Sequence, residues 1–167
     1  MLFRSKFDGE IAQGDVDGER VIVLKPMTFM NNSGQSVGAA LRFFKIVPDQ
    51  VLVFHDELDL AAGKLRVKRG GGHAGHNGLR SIQAHIGADF RRVRIGIGHP
   101  GDKALVLNHV LDDFAKADDE WLDKLLPAMA DNFPMLLKDE DNAYMSKVAQ
   151  AVGPVKPKPA APETDNG

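Results

Sequence analysis

The stretch GKLRVKRGGGHAGHNGLRSI, residues 63–82, changes its period halfway along. Its first part alternates apolar Leu65 and Val67 with basic Lys64, Arg66 and Lys68. That period of two is a strand with one solvated face. From about Leu79 to Ile86 the pattern is helical. Residues 70–78 lie between and hold five glycines in nine residues. Glycine loses more backbone freedom on folding than any other residue, so such a loop is costly as a plain connection. A strand feeding a helix through a Gly-rich turn is a unit of an α/β fold.

The flanks extend the same reading. Residues 51–54 (VLVF) form a short, β-branched apolar run, a buried strand, and His55-Asp56-Glu57 follow at its carboxyl end. Open α/β sheets build their sites at that end of a strand. Val93, Ile95 and Ile97 alternate into a further strand that stops at GHPGD. Toward the N-terminus, residues 7–11 and 20–24 flank GDVDG, where Asp17-Gly18 predicts a hairpin turn. Pro26 closes the second strand and KPMTFMNNSG runs on as a loop. Ser33 is placed to cap a helix over 34–46, with Val37, Ala40, Leu41 and Phe44 on its apolar face. Residues 118–137 and 140–150 read as helices, with Trp121, Leu125 and Leu126 inward. From Gly153 onward Pro, Lys, Ala and acidic residues show no packing pattern. The expectation is one α/β domain over 1–150, a mixed sheet flanked by helices, and a disordered tail over 151–167.

Composition narrows the functional classes. The chain has no cysteine, which excludes a disulfide scaffold, a thiol nucleophile and thiolate metal sites. No apolar run approaches the roughly 18 residues of a membrane span, and MLFRSKFDGE lacks a signal-peptide core, so a cytoplasmic location is expected. The net charge of −2 hides a basic block: residues 64–94 carry eight Lys or Arg against one Asp. A cationic segment in an otherwise acidic chain suits an anionic partner, although a solvated basic face gives the same composition.

Three loops carry more polar groups than connection needs. Thr28-Phe29-Met30-Asn31-Asn32 offers amides that donate and accept, and an aromatic ring that can stack; it also reads as a helix entry with Phe29 and Met30 in the core. In His55-Asp56-Glu57-Leu58-Asp59 the Asp nearest the strand can orient an imidazole, or the acids can be turn residues. The Gly-rich loop lets a ligand approach the backbone and feeds a helix N-terminus suited to an anion. No G-K-[ST] follows, so it is not a Walker loop. His73, His76 and Asp56 form a sparse metal-ligand set, which leaves a metal-dependent phosphoesterase as one alternative, and the Gly-rich loop alone leaves a nucleotide-binding regulator as another.

Taken together, KPMTFMNNSGQSV, VLVFHDELDL, GKLRVKRGGGHAGHNGLRSI and FRRVRIGIGHPG resemble, in order and spacing, the bacterial peptidyl-tRNA hydrolase family. The resemblance runs from about Phe7 to Ala149 and implies one mixed sheet between helices. It implies cleavage of the ester joining a peptide to the 3′ ribose of tRNA, by a monomer, with no cofactor and no metal. Residue by residue, it assigns Asp56 to orienting a catalytic histidine. It assigns Asn31 and Asn77 to the tRNA 3′ end, the peptide and the attacking water, and Phe29 to an aromatic contact. Met30 and His76 support the cleft. Lys64, Arg66, Lys68, Arg91 and Arg92 are expected to meet the tRNA backbone.

One part of the pattern has no counterpart. The family begins with a strand, a Gly-Asn-Pro-Gly turn and a Thr-Arg-His-Asn motif whose histidine is the base; no stretch of this sequence contains them. His55, His73, His76, His85, His99 and His109 fall elsewhere in the pattern. The expectation is therefore a chain without the N-terminal segment and its strand: a hydrolase, or alternatively an inactive tRNA-binding remnant.

Overall fold

Two three-stranded sheets organise the computed structural model, which describes residues 1–157. The first is antiparallel, in the order β1 (Arg4–Lys6), β2 (Gly9–Val16), β3 (Glu19–Pro26). Asp17 and Gly18 join β2 to β3 with φ of 49° and 81°. Two left-handed residues in succession are what a type I′ hairpin turn requires. The second sheet is mixed: β4 (Leu52–Glu57) runs parallel to the central β6 (Arg91–Gly96), and β5 (Leu65–Arg69) runs antiparallel to it. The α/β class is as expected, but the expected single sheet is two. Helix α1 (Ser33–Phe44) intervenes between β3 and β4, which are not hydrogen-bonded neighbours.

Each face of the mixed sheet carries its own core. On one, Val37 of α1 and Leu79 and Ile82 of α2 (Asn77–Ile86) enclose Phe90, with Val51 and Val53 beneath. On the other, α4 (Asp119–Asp131) and α6 (Asp141–Val152) lay Trp121, Leu125, Tyr144 and Val148 against Leu65 and Val93. Alternation along β6 then decides where its arginines go: Val93 faces α4 and α6, so Arg92 faces the opposite side.

Some sequence expectations are corrected. Ser33 is the first residue of α1 rather than its cap, and its Oγ donates to the Met30 carbonyl at 2.8 Å. The helix expected over 118–137 breaks at Asn132, whose side chain donates to the Ala128 carbonyl; α5 (Phe133–Leu137) then restarts with Pro134, which has no N–H to continue the ladder. Leu126 points outward, 55% exposed. Helix α3 (Lys103–Leu111) was not legible, because its apolar residues surround it without a period, although Asp102 caps it. Beyond α6, Val155 packs on the Trp121 core; residues 158–167 of the expected tail lie outside the described residues.

Candidate active site

Strand β4 sets the position of the acidic group. Its apolar residues pair with β6 in parallel register, Leu52 against Arg91 through Glu57 against Gly96, and Asp56 arrives at the carboxyl end opposite Ile95. His55 and Asp56 are inside the strand, not in a turn after it.

Close packing of α1 on α2 brings the loop before α1 against the start of α2, whose N-cap His76 reaches this carboxylate. Gly34 of α1 donates its N–H to Ser81 Oγ at 2.9 Å, and a Cβ on Gly34 would collide with the Ser81 carbonyl oxygen. At the start of α2, a Cβ on Gly78 would stand 2.7 Å from the Met30 sulfur. Glycine at both places lets α2 pack closely on the start of α1 and on Met30 before it, and Asn31 and Asn77 are exposed at these ends. Phe29 and Met30 are 83% and 56% exposed, so the core alternative for these two residues is excluded.

His76 joins the Gly-rich loop to Asp56. Its Nδ1 accepts the Leu79 N–H at 3.2 Å as the N-cap of α2. Nε2 must therefore carry the ring proton, and it donates to Asp56 Oδ1 at 2.7 Å. That hydrogen bond is the main reason the Asp56 carboxyl is held below the ordinary carboxylate range. The His55 ring stands edge-on to His76, with centroids 5.1 Å apart. Its Nδ1 donates to the Asp56 carbonyl at 2.8 Å and its Nε2 is buried without a partner, and burial lowers its pKa.

His73 is not part of this arrangement. Its Nδ1 accepts the Gly75 N–H inside its own loop. The metal-type grouping is instead His55, Asp56 and His76, with one ligand atom from each lying within 4.8 Å of the others. To ligate through Nε2, His76 would have to move its proton to Nδ1 and face the Leu79 N–H with a second donor. The geometry suits a carboxylate–imidazole pair better than a metal centre.

The basic residues divide into two sets. Arg66 and Lys68 are exposed on one face of β5, Arg66 opposite Arg94, and Lys64 is exposed just before them. Arg94 donates to Glu57 at 3.2 Å. Arg91 and Arg92 are 7% and 2% exposed, which corrects their expected place on the tRNA face. Arg91 pairs with Asp141 at 2.8 Å, tying α6 to the sheet, and Arg92 is directed at backbone carbonyls. Sequence reasoning missed His55 as a neighbour of His76, and Ser81 as the residue that docks α1. Adjacency to Asp56 was a signal for the first; a lone serine in a helix was none for the second.

Known proteins resemble this chain along nearly its whole length. The model of the family described as peptidyl-tRNA hydrolase matches residues 1–157. The chain is 54% identical over 168 residues to the peptidyl-tRNA hydrolases of Brucella ovis and Brucella melitensis, covering 98% of this chain and 67% of theirs. The crystal structure of peptidyl-tRNA hydrolase from Acinetobacter baumannii superposes with a TM-score of 0.81 at 40% identity, covering 88% of this chain and 76% of that one. A crystal structure of a peptidyl-tRNA hydrolase in complex with N-propanol gives 0.84 at 39% identity, covering 92% and 79%. The match spans nearly the whole described chain at high identity, and this chain belongs to the peptidyl-tRNA hydrolase family.

Proposed function

We propose that the cleft between β4 and the starts of α1 and α2 hydrolyses the ester joining a peptide to the 3′ ribose of tRNA. The observation that carries this reading is the Asp56–His76 pair at 2.7 Å with Asn31 and Asn77 at abutting helix ends, in a chain of this family. Water gives up a proton to a base as it adds to the ester carbonyl, the carbonyl oxygen takes up negative charge, and collapse with a proton delivered to the ribose oxygen releases a ribose hydroxyl and a peptide carboxylic acid, which ionises. The Asn amides supply donors for that oxygen and for the substrate's own amides, which serves acyl transfer without a metal. Phe29 offers an exposed ring for stacking on the 3′ end, and Met30 fills the wall between Asn31 and Gly78.

His76 acts as support in this scheme. Its lone pair is committed to Leu79, and freeing it would cost the cap, about 1 kcal/mol. Asp56, ionised and with its Oδ1 occupied, orients imidazole N–H donors. The phosphate backbone of the tRNA runs along Lys64, Arg66 and Lys68. The enzyme acts in the cytoplasm, recycling tRNA from stalled translation, as a monomer.

The test is release of an N-acetylated amino acid from its tRNA by the purified chain, with circular dichroism on the same sample and chelator present. Turnover that survives chelation supports the proposal. A folded sample without turnover would overturn it for this chain.

A further inference from the structure

Among the described residues Arg92 is the least exposed charged side chain, at 2%. Among those residues no carboxylate forms an ion pair with it. Its guanidinium lies 4.1 Å from the centroid of the Phe90 ring. Nη1 donates to the carbonyls of Phe90 at 3.2 Å and Ala88 at 3.4 Å, and Nη2 donates to the Gly71 carbonyl at 2.9 Å. Burial pulls its pKa below the usual arginine value. A buried charge is expensive to keep, and an apolar side chain of similar volume would fill the space at lower cost. Such a side chain would not hold the carbonyls. The planar fork of an arginine reaches acceptors on two separate segments at once.

The two segments are the entry to β6 and the base of the Gly-rich loop. Gly70 donates its N–H to the Phe90 carbonyl at 3.0 Å, the same oxygen that Arg92 Nη1 approaches. Gly70 and Gly71 have φ of 64° and 97°, so the chain leaves β5 here by two left-handed residues. A flexible backbone at that corner has many alternative courses. The clamp on Gly71 selects one, five residues before His76 and six before Asn77. Arg91 is a natural comparison: it is adjacent and almost as buried, yet it ties down α6 through Asp141 and leaves the loop alone.

We infer that Arg92 is a positioning residue for substrate: by holding Gly71 it fixes the course of residues 72–75 and the placement of Asn77. This rests on the proposed function above, and the experiment separates the two. Initial rates on N-acetyl-aminoacyl-tRNA are compared for the wild type, Arg92→Met, Arg92→Lys and Arg91→Met, at a temperature where melts show each to be folded. Misplacing a substrate-positioning group by about 1 Å costs on the order of 10²-fold. Arg92→Met should therefore lose about 10- to 100-fold in kcat, and Arg92→Lys should recover part of the loss. Arg91→Met should melt lower with kcat within about twofold of wild type. Equal kcat for Arg92→Met and Arg91→Met would overturn the inference, and so would failure of both Arg92 variants to fold. An inactive wild type would sink the proposed function instead. Amide hydrogen exchange over residues 70–77 then decides the clamp: faster exchange in Arg92→Met and not in Arg91→Met supports it, and no difference overturns it.

Discussion

His76 donates its Nε2–H to Asp56 Oδ1 at 2.7 Å while its Nδ1 accepts the Leu79 N–H at 3.2 Å, so one imidazole starts helix α2 and anchors the carboxylate at the end of β4. The two jobs can be separated by substitution. Asparagine is among the best N-caps and alanine among the poorest, a difference of about 1 kcal/mol. His76→Asn should keep the stability of the wild type to within about 0.5 kcal/mol, and His76→Ala should lose about 1–2 kcal/mol as cap and carboxylate partner go together. Denaturant unfolding measures both. With His76 as support, the asparagine variant retains most of the turnover. A loss approaching the 10²–10⁴-fold of a missing general base would make His76 the proton acceptor instead.

How much of this was legible in sequence follows from the range of the interactions. Hairpin, strands and most helices are local patterns, and Asp17-Gly18, VLVF and the Val93-Ile95 alternation announce them. Asp56, Asn31 and Asn77 were legible as polar groups where a buried strand or helix begins or ends. The division of eight clustered cations was not. Which of them face solvent depends on strand parity against two cores, and on Asp141, 50 residues from its partner Arg91. The docking of α1 on α2 was also hidden, since it depends on Gly34 meeting Ser81 across 47 residues.

The exposed amides make the second prediction. Asn31 and Asn77 lie outside both cores, so Asn31→Ala and Asn77→Ala should each stay within about 0.5 kcal/mol of wild-type stability. Loss of a donor to a developing oxyanion costs roughly 10²–10³ in kcat. Steady-state kinetics should therefore show a large fall in kcat for at least one of the two, with thermal melts unchanged. Wild-type turnover in both variants would remove these residues from the site.

The pH dependence of stability has two stages with the same sign. Burial disfavours the charged form of His55, so the unfolded chain takes up that proton first, and stability falls as the pH drops below about 6.5. The Asp56 carboxyl is held below its ordinary value by the His76 hydrogen bond. The unfolded carboxyl protonates near pH 4, so a second loss sets in from there downward. Denaturant midpoints from pH 8 to 3 should decline in these two windows. His55→Asn should flatten the upper one and leave the lower. A variant with the same decline between pH 7 and 5 would show that another group is responsible.

Strand parity gives the last prediction its direction. On β5, Arg66 and Lys68 share one exposed face, whereas Arg91 on β6 is turned into an ion pair with Asp141. A tRNA backbone lying along this face exchanges condensed cations for these side chains, and each phosphate contact adds roughly 0.7–0.9 to the slope of log K against log salt. Binding of uncharged tRNA to Arg66→Gln and Lys68→Gln, measured from low to moderate salt, should show a shallower slope for each. Arg91→Gln should bind with the wild-type slope while melting at a lower temperature, because its charge already has a partner and its loss releases α6 from the sheet. The reverse pattern, a changed slope for Arg91 and none for Arg66 or Lys68, would move the tRNA to the α6 side of the molecule.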